Sequence, residues 1–142
     1  MSWYYQENVI QELPEECIGF VYIISNNLTG RKYVGKKLAK FSKTTTKTVK
    51  LKNGTKKKKK IRSKVDSDWR EYYGSSLELS ADIVNLGVDN FTREILYYCN
   101  SKAECSYIEA RTQFERKVLE SDDYYNGQIN CRIHQSHIKG KI

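Results

Sequence analysis

Several features are scarce or missing in this chain of 142 residues, and each absence excludes a class of protein. No apolar run approaches the roughly 18 residues that a transmembrane helix needs. The first 16 residues carry neither the basic nor the apolar stretch of a secretory signal. The four cysteines form no CxxC pair, which argues against a zinc ribbon or a redox motif. We therefore expect a cytoplasmic protein whose thiols are reduced and mostly buried.

Acidic residues are absent from a long segment, residues 17–65. Sixteen of the 25 Lys and Arg residues lie between Arg31 and Lys64, so the remainder carries 9 basic and 17 acidic residues, a net charge of −8. The formal net charge of +8 thus comes from one cationic segment on a slightly acidic domain. Such a segment favours a polyanionic partner, with nucleic acid ahead of an anionic membrane surface. The lysines lack the interleaved apolar anchors of a membrane-binding segment.

Hydrophobic periodicity and turn residues predict three strands and three helices. A β-hairpin is expected over residues 18–36, where a β-branched and aromatic run is followed by an Asn-Asn-Leu-Thr-Gly turn. A third strand is expected over residues 90–99. Helices are expected over residues 66–73, from the capping-box pattern at residues 75–78 to Gly87, and from a second such pattern at residues 101–104 to Leu119. This order predicts an α+β fold, a small three-stranded antiparallel sheet flanked by helices.

Two apolar stripes indicate which faces of the longer helices should be buried. The stripe of the first consists of Leu79, Ile83 and Leu86. The stripe of the second consists of Tyr107, Ala110, Phe114 and Val118.

The lysine-rich segment at residues 36–65 admits two interpretations. Five consecutive lysines repel one another, which favours disorder in the free protein. The Asn53-Gly54 pair between two basic runs is instead typical of a hairpin turn, which favours an extended basic hairpin.

Two parts of the sequence contain candidate catalytic or ligand-binding residues. Tyr22 and Tyr33 lie on paired strands, and Gly35 would let a phosphate approach the backbone beside Lys36 and Lys37. In the last helix, a carboxylate at the margin of the apolar stripe, Glu109, could bind a metal or act as a general base. The simpler interpretations are that the tyrosines fill a sheet surface and that the glutamate is solvated.

The order of the motifs resembles the GIY-YIG endonuclease superfamily. Gly19-Phe20-Val21-Tyr22 and, eleven positions after its tyrosine, Tyr33-Val34-Gly35 resemble the paired signature, with one extra residue in the first motif. Later motifs that resemble the family are Tyr73-Gly74-Ser75-Ser76, the ADIVNLGVDNFTREIL stretch, Ser106-Tyr107-Ile108-Glu109-Ala110 and Tyr125-Asn126.

This resemblance implies hydrolysis of DNA phosphodiester bonds with one divalent metal, Mg²⁺ or Mn²⁺. Tyr33 would activate the attacking water, and Tyr22 would line the same site. Glu109 would coordinate the metal, Asn126 would brace the site, and Lys36 would contact the phosphate.

The family's catalytic arginine has no clear counterpart, because the lysine-rich insertion breaks the register. Arg70 is favoured, since it lies in the expected short helix. Arg62 is the alternative if that helix begins earlier, and Lys36 with Lys37 could instead supply the charge.

The resemblance also frames the domain organisation and the partners. Residues 1–17 would be an N-terminal extension, residues 18–127 the nuclease-like domain with its insertion at 36–65, and residues 128–142 a basic tail. The side chains expected to contact DNA are Lys37, Lys40, Lys56, Lys57, Lys58, Lys59, Lys60 and Arg62. A phage or mobile-element nuclease in a bacterial cytoplasm is expected, with a homodimer if both strands are cut. The alternative is a basic nucleic-acid-binding protein without catalysis.

Overall fold

A computed structural model describes residues 2–142 and defines seven strands and two α-helices in that part of the chain. The strands are β1 (Trp3–Tyr5), β2 (Asn8–Ile10), β3 (Gly19–Asn26), β4 (Lys32–Leu38), β5 (Lys40–Lys50), β6 (Lys56–Asp66) and β7 (Phe91–Cys99). The α-helices are α1 (Leu77–Leu86) and α2 (Lys102–Glu115). Three short 3-10 helices lie at Trp69–Glu71, Val88–Asn90 and Gln135–His137.

The central sheet contains the three predicted strands and two more. Its order is β2-β1-β7-β3-β4, so β7 lies in the middle, β3 lies between β7 and β4, and β4 forms one edge. The predicted α+β class is confirmed, but the predicted three-strand count is too low. β1 pairs parallel with β7, and such three-residue strands are too short to show a sequence periodicity. The domain boundary at residue 18 stays a prediction, although β1 hydrogen-bonds into this sheet.

The two faces of the sheet are covered by different elements. On one face Phe20, Tyr22 and Ile24 of β3 pack with Trp3 and with Leu79 of α1. On the other face, the β3 and β4 side chains pack against α2. The residues of this second cluster are Val21, Ile23, Val34, Cys99, Cys105, Ile108 and Val118. Alternation of side chains along β3 therefore produces both cores.

Helix α1 begins and ends at clear capping residues. The Ser76 side chain accepts a hydrogen bond from the backbone N–H of Leu79, and Gly87 ends the helix with a φ of 91°. Of the predicted stripe, Leu79 is buried and Ile83 packs against the core, whereas Leu86 is exposed. The capping residue is thus Ser76, which frees Ser75 for another contact.

Helix α2 is capped by Ser101 as predicted, but its buried face differs from the predicted one. The helix ends at Glu115 rather than at Leu119. Phe114 is 66% exposed, and the face toward the sheet is formed by Cys105, Ile108 and Gln113. The predicted stripe was wrong at Phe114, because packing on β3 and β4 selects a face that contains a glutamine and a thiol.

The lysine-rich segment folds as an antiparallel hairpin, one of its two interpretations. The β5–β6 register runs without interruption from Lys40↔Asp66 to Lys50↔Lys56. The turn contains Gly54 with a φ of 85°, a conformation that favours glycine. Because β6 extends to Asp66, the helix predicted over residues 66–73 is reduced to the 3-10 turn Trp69–Glu71.

The state of the thiols and the character of the helices concern the chain as a whole. All four thiols are free, and Cys17, Cys99 and Cys105 are buried, whereas Cys131 is exposed. Within residues 2–142, no helix combines the length and the apolar character needed to cross a bilayer.

Candidate active site

Tyr22 and Tyr33 lie on the same face of the β3–β4 hairpin. Tyr22 is directly opposite Gly35, and the two tyrosine rings are 6.2 Å apart. A Cβ atom on Gly35 would lie 2.5 Å from the Tyr22 hydroxyl oxygen and 3.0 Å from the Tyr33 ring. The glycine therefore makes room for the Tyr22 hydroxyl, which occupies the place where we had expected a phosphate to approach.

Glu109 reaches the same region from the opposite face of the sheet. It lies on α2, which packs against the Val34 side of β4. Because β4 is the edge strand, groups from both faces can meet beside it. Tyr33 from one face and Glu109 from the other line a cleft of about 320 Å³. The cleft residues are Tyr33, Ser75, Ser76, Glu109, Gln113, Tyr125, Asn126, Gly127, Gln128 and Asn130.

The free edge of β4 is held by two amide side chains. Asn126 accepts a hydrogen bond from the backbone N–H of Val34 (3.0 Å) and donates one to its carbonyl (2.8 Å). Gln113 donates to the same carbonyl (3.0 Å). These bonds satisfy backbone groups that an edge strand would otherwise leave open. Asn126 thus braces the strand between Tyr33 and Gly35, and its catalytic role stays a prediction.

Burial alters the ionisation of both tyrosines. Burial raises the pKa of Tyr22 well above its usual range, and the nearby Tyr72, Tyr33 and Glu109 raise it further. Burial also raises the pKa of Tyr33, while a hydrogen bond with Ser75 (3.0 Å) opposes this shift. Both side chains are therefore neutral phenols at neutral pH, able to donate and accept hydrogen bonds.

Glu109 is a half-buried carboxylate beside a cation. Burial raises its pKa, and the Lys36 ammonium together with the Lys36 backbone lowers it. The Lys36 Nζ donates a hydrogen bond to the Ser106 hydroxyl (2.5 Å), three residues before Glu109. Lys36 thus lies on the α2 side of the edge strand.

Lys37 lies on the other side of β4, with the tyrosines. Its Nζ is 4.3 Å from the Tyr72 ring centroid and 2.7 Å from an Asp68 oxygen. Tyr72 in turn packs on Tyr22, with ring centroids 5.9 Å apart. The consecutive lysines therefore place one cation on each side of the strand that carries Tyr33.

Neither arginine considered from the sequence lines the cleft. Arg70 packs over the Trp69 ring at 4.5 Å and lies 3.4 Å from a Glu12 carboxylate oxygen. Trp69 is buried, which turns its neighbour in the short 3-10 turn toward the N-terminal segment. Arg62 lies on the exposed strand β6. The structure therefore gives no support to Arg70 as the catalytic arginine.

The predicted DNA-binding lysines fall into two groups. Lys40 lies at the base of the β5–β6 hairpin and donates a hydrogen bond to the Glu15 carbonyl (3.0 Å). Lys56–Lys60 and Arg62 are exposed along β6, away from the cleft residues. Their contact with DNA stays a prediction.

Two cleft residues escaped the functional assignments made from the sequence. Ser75 is the hydrogen-bond partner of the Tyr33 hydroxyl, and Gln113 is buried between α2 and β4. Gln113 could have been found, since it follows Glu109 by four residues and shares its helix face. Ser75 had no such signal, because its contact with Tyr33 depends on where α1 begins.

The residues present are compatible with one hard divalent cation. Glu109 is the one carboxylate among the cleft-lining residues of the described chain, and four amide side chains line the same cleft. Mg²⁺ is commonly held by one or two carboxylates and completes its shell with water and substrate phosphate oxygens. Residues 2–142 contain no cluster of three His, Cys, Asp or Glu side chains suited to a metal. The donor set thus fits a site completed by substrate, with Glu109 as the anchoring ligand.

The α+β fold, with its mixed sheet and two α-helices, is consistent with a domain of the GIY-YIG class. A family model described as "Putative endonuclease segE, GIY-YIG domain" matches residues 3–129, and the chain belongs to that family. Comparisons with curated proteins and with solved structures gave no match. The match includes β1 and β2 as well as the lysine-rich hairpin, so both lie within the family domain.

Proposed function

We propose that the protein is a metal-dependent endonuclease that hydrolyses phosphodiester bonds in DNA. The observation that carries this proposal is the convergence at the β4 edge, where Tyr33 arrives from one face of the sheet and Glu109 from the other. A surface that only binds DNA would not need a half-buried carboxylate, because its negative charge repels the phosphates.

Tyr33 is the residue that we propose to orient the attacking water. Its phenol is protonated at neutral pH, so it acts through hydrogen bonds and not as a standing phenolate. When the Tyr33 O–H donates a hydrogen bond to the Ser75 hydroxyl, 3.0 Å away, the Tyr33 oxygen is free to accept a hydrogen bond from water. Tyr22 packs behind it and fixes the ring position.

Glu109 is the residue that would hold Mg²⁺ or Mn²⁺. The bound cation would supply Lewis-acid stabilisation of the charge that develops on the phosphate and on the leaving oxygen. The protein contributes an oriented carboxylate, since Ser106 and Lys36 lie beside Glu109 and restrict its surroundings.

Lys36 and Lys37 are the cations that we propose to replace the family arginine. Lys36 and Lys37 are the two residues after Gly35, and they flank the edge strand on its two sides, Lys36 beside Ser106 and Lys37 beside Tyr72. A positive charge aimed at the phosphoryl oxygens stabilises the transition state more than the ground state. Lys36 would contact the phosphate, as the sequence resemblance implied.

A plasmid assay tests this function with a matched pair of substitutions. Purified protein is incubated with supercoiled DNA in Mg²⁺ or in EDTA, and the products are separated on agarose. We expect nicking that requires the metal and falls at least 100-fold in Glu109→Gln, on the scale of losing a transition-state stabiliser. Glu115→Gln on the same helix is the control, because Glu115 is exposed and pairs only with Arg111.

Two results would contradict the proposal. Equal cleavage by Glu109→Gln and by the native protein would exclude the metal-site assignment. Retardation of DNA without cleavage in any divalent metal would favour the second candidate, a basic DNA-binding protein without catalysis.

The cellular setting follows the same proposal. A phage or mobile-element nuclease would act on DNA in a bacterial cytoplasm. One cleft per chain predicts that open-circular DNA accumulates before linear DNA, unless two copies pair to cut both strands.

A further inference from the structure

The β5–β6 hairpin has two faces of different chemistry. Its uninterrupted register assigns each side chain to a face, since successive residues of a strand alternate between the two. The mixed face carries four apolar side chains, four lysines and two hydroxyl side chains, which are Phe41, Val49, Ile61, Val65, Lys43, Lys47, Lys57, Lys59, Thr45 and Ser63. The cationic face carries Lys50, Lys56, Lys58, Lys60, Arg62 and Lys64 together with Ser42, Thr44, Thr46 and Thr48, and the pair Lys40↔Asp66 lies at its base.

The cationic face is a repeated row of one hydroxyl and one cation. Along the hairpin, the directly opposed pairs are Ser42↔Lys64, Thr44↔Arg62, Thr46↔Lys60 and Thr48↔Lys58. β6 thus supplies a column of cations and β5 a column of hydroxyls, and no apolar side chain interrupts them. Cationic and hydroxyl side chains are the two kinds that most often contact nucleic-acid phosphates.

The spacing of the cations suits an extended backbone. Alternate residues of a strand lie about 6.7 Å apart, so the five β6 cations from Lys56 to Lys64 span about 27 Å. A duplex repeats every 34 Å or so, with one phosphate per strand each 3.4 Å along the axis. Nearly identical rows carry little information about base sequence, which favours phosphate contact over base recognition.

The hairpin also stores electrostatic repulsion that a polyanion would relieve. Lys47 faces Lys59 and Lys50 faces Lys56 across the strands, and like charges directly opposite destabilise a sheet. No acidic residue lies between these positions to compensate. The strands are exposed on both faces through most of their length.

The base of the hairpin is fixed to the catalytic sheet. Only Ala39, which is buried, separates β5 from β4. The Ser67 hydroxyl donates to the Leu38 carbonyl (2.6 Å), and its backbone N–H donates to the Ala39 carbonyl (2.8 Å). A ligand held by the hairpin is therefore held on a segment that directly continues β4, the strand that carries Tyr33.

We propose that the β5–β6 hairpin is a one-sided DNA-binding ribbon, whose cationic face follows the phosphate backbone of the duplex while its mixed face does not. This inference rests on the proposed function in taking DNA as the partner. The inference goes beyond the proposed function because it assigns alternate lysines of the run Lys56–Lys60 to different roles, a distinction that composition alone cannot make.

Two triple variants with equal charge test the proposal. One replaces Lys56, Lys58 and Lys60 on the cationic face with Gln, and the other replaces Lys47, Lys57 and Lys59 on the mixed face. Each removes three exposed lysines at the same height and lowers the formal charge from +8 to +5. Binding to a labelled 20-base-pair duplex is measured by fluorescence anisotropy in EDTA at several salt concentrations.

We expect the cationic-face variant to lose at least tenfold in affinity at low salt. Its slope of log affinity against log salt should fall by about 2 to 3, the value for three lost phosphate contacts. The mixed-face variant should lose less than threefold, with nearly the native slope. Equal losses in both variants, or a larger loss on the mixed face, would overturn the proposal.

The readout separates this proposal from the catalytic one. Binding in EDTA does not depend on cleavage, so an inactive protein with the predicted asymmetry would support the ribbon and contradict the nuclease. Cleavage activity combined with equal losses of affinity in the two triple variants would support the nuclease and contradict the ribbon. Equal binding of duplex RNA of the same sequence would overturn the assignment to DNA.

Discussion

Gly35 is the single position where one added carbon should disturb the site most directly. A Cβ atom there would lie 2.5 Å from the Tyr22 hydroxyl oxygen and 2.8 Å from the ring carbon that bears it. Tyr22 is almost fully buried and packs against Tyr72 and Tyr33, so its ring cannot move away freely. We expect Gly35→Ala to lower the free energy of unfolding by about 1 to 3 kcal/mol, as overpacking does, and to reduce cleavage.

Gly127→Ala is the matched control for this prediction. Gly127 lines the cleft together with Tyr33 and Glu109, but a Cβ atom there would meet no atom within 4 Å. Urea unfolding and plasmid cleavage of both variants measure the two effects. Gly35→Ala with native stability and native activity would show that the Tyr22 hydroxyl does not need the space that this glycine leaves.

At the scale of elements, the two serines at the start of α1 have different partners. Ser76 caps the helix through the Leu79 backbone N–H, whereas the adjacent Ser75 contacts the Tyr33 hydroxyl. We expect Ser76→Ala to cost about 1 kcal/mol of stability, the usual cost of a lost N-cap, with little change in cleavage below the unfolding range. We expect Ser75→Ala to slow cleavage about threefold to tenfold, the value of one hydrogen bond, at native stability.

Thermal unfolding and single-turnover cleavage at 25 °C together distinguish the two serines. Because the Ser75 hydrogen bond lowers the pKa of Tyr33, its removal also shifts the Tyr33 ionisation to higher pH. A loss of stability in Ser75→Ala with unchanged cleavage would reverse the assigned roles.

The elements differ in how far the sequence could predict them. Local signals are sufficient for the β3–β4 hairpin, for β7 and for the Ser101 cap of α2, because a turn, an alternation or a capping residue marks each. The buried face of α2 was mispredicted at Phe114, since the choice of face depends on long-range packing. The N-terminal strands were missed because β1 gains its partners from β7, about ninety residues away.

The same distinction applies to the candidate site. Tyr22, Tyr33 and Glu109 could be selected from motif order, and Tyr33 and Glu109 do line one cleft. Arg70 could not be judged, since its surroundings depend on the buried Trp69 and on Glu12 in the N-terminal segment. The contact between Ser75 and Tyr33 likewise required the three-dimensional arrangement.

At the scale of the whole molecule, Trp3 connects the N-terminus to the hydrophobic core that contains Tyr22. Its ring packs on Phe20 at 5.0 Å and on Tyr22 at 5.5 Å. Its indole N–H donates to the Trp69 carbonyl (2.8 Å), and the Arg93 guanidinium lies 4.6 Å from its centroid. The residue thus joins β1, β3, β7 and the segment before α1, which are distant in sequence.

We expect Trp3→Ala to destabilise the protein by about 3 to 5 kcal/mol, the usual cost of deleting a buried tryptophan. The melting temperature should fall by on the order of 10 °C, and cleavage should be lost at temperatures where the native protein is still active. Differential scanning calorimetry measures the fall in melting temperature. Plasmid nicking assayed from about 15 to 45 °C measures the loss of cleavage. Tyr4→Ala is the control, because Tyr4 is the half-exposed neighbour on the same strand.

The two variants decide whether the N-terminal strands belong to the folding unit. If they do, Trp3→Ala lowers the melting temperature far more than Tyr4→Ala, and a single unfolding transition is retained, since Trp3 contributes to one continuous core. If residues 3–10 form only an attached extension, both variants melt near the native temperature and cleave DNA at the native rate. In that case the activity would reside in the remaining sheet, and the boundary predicted at residue 18 would be correct.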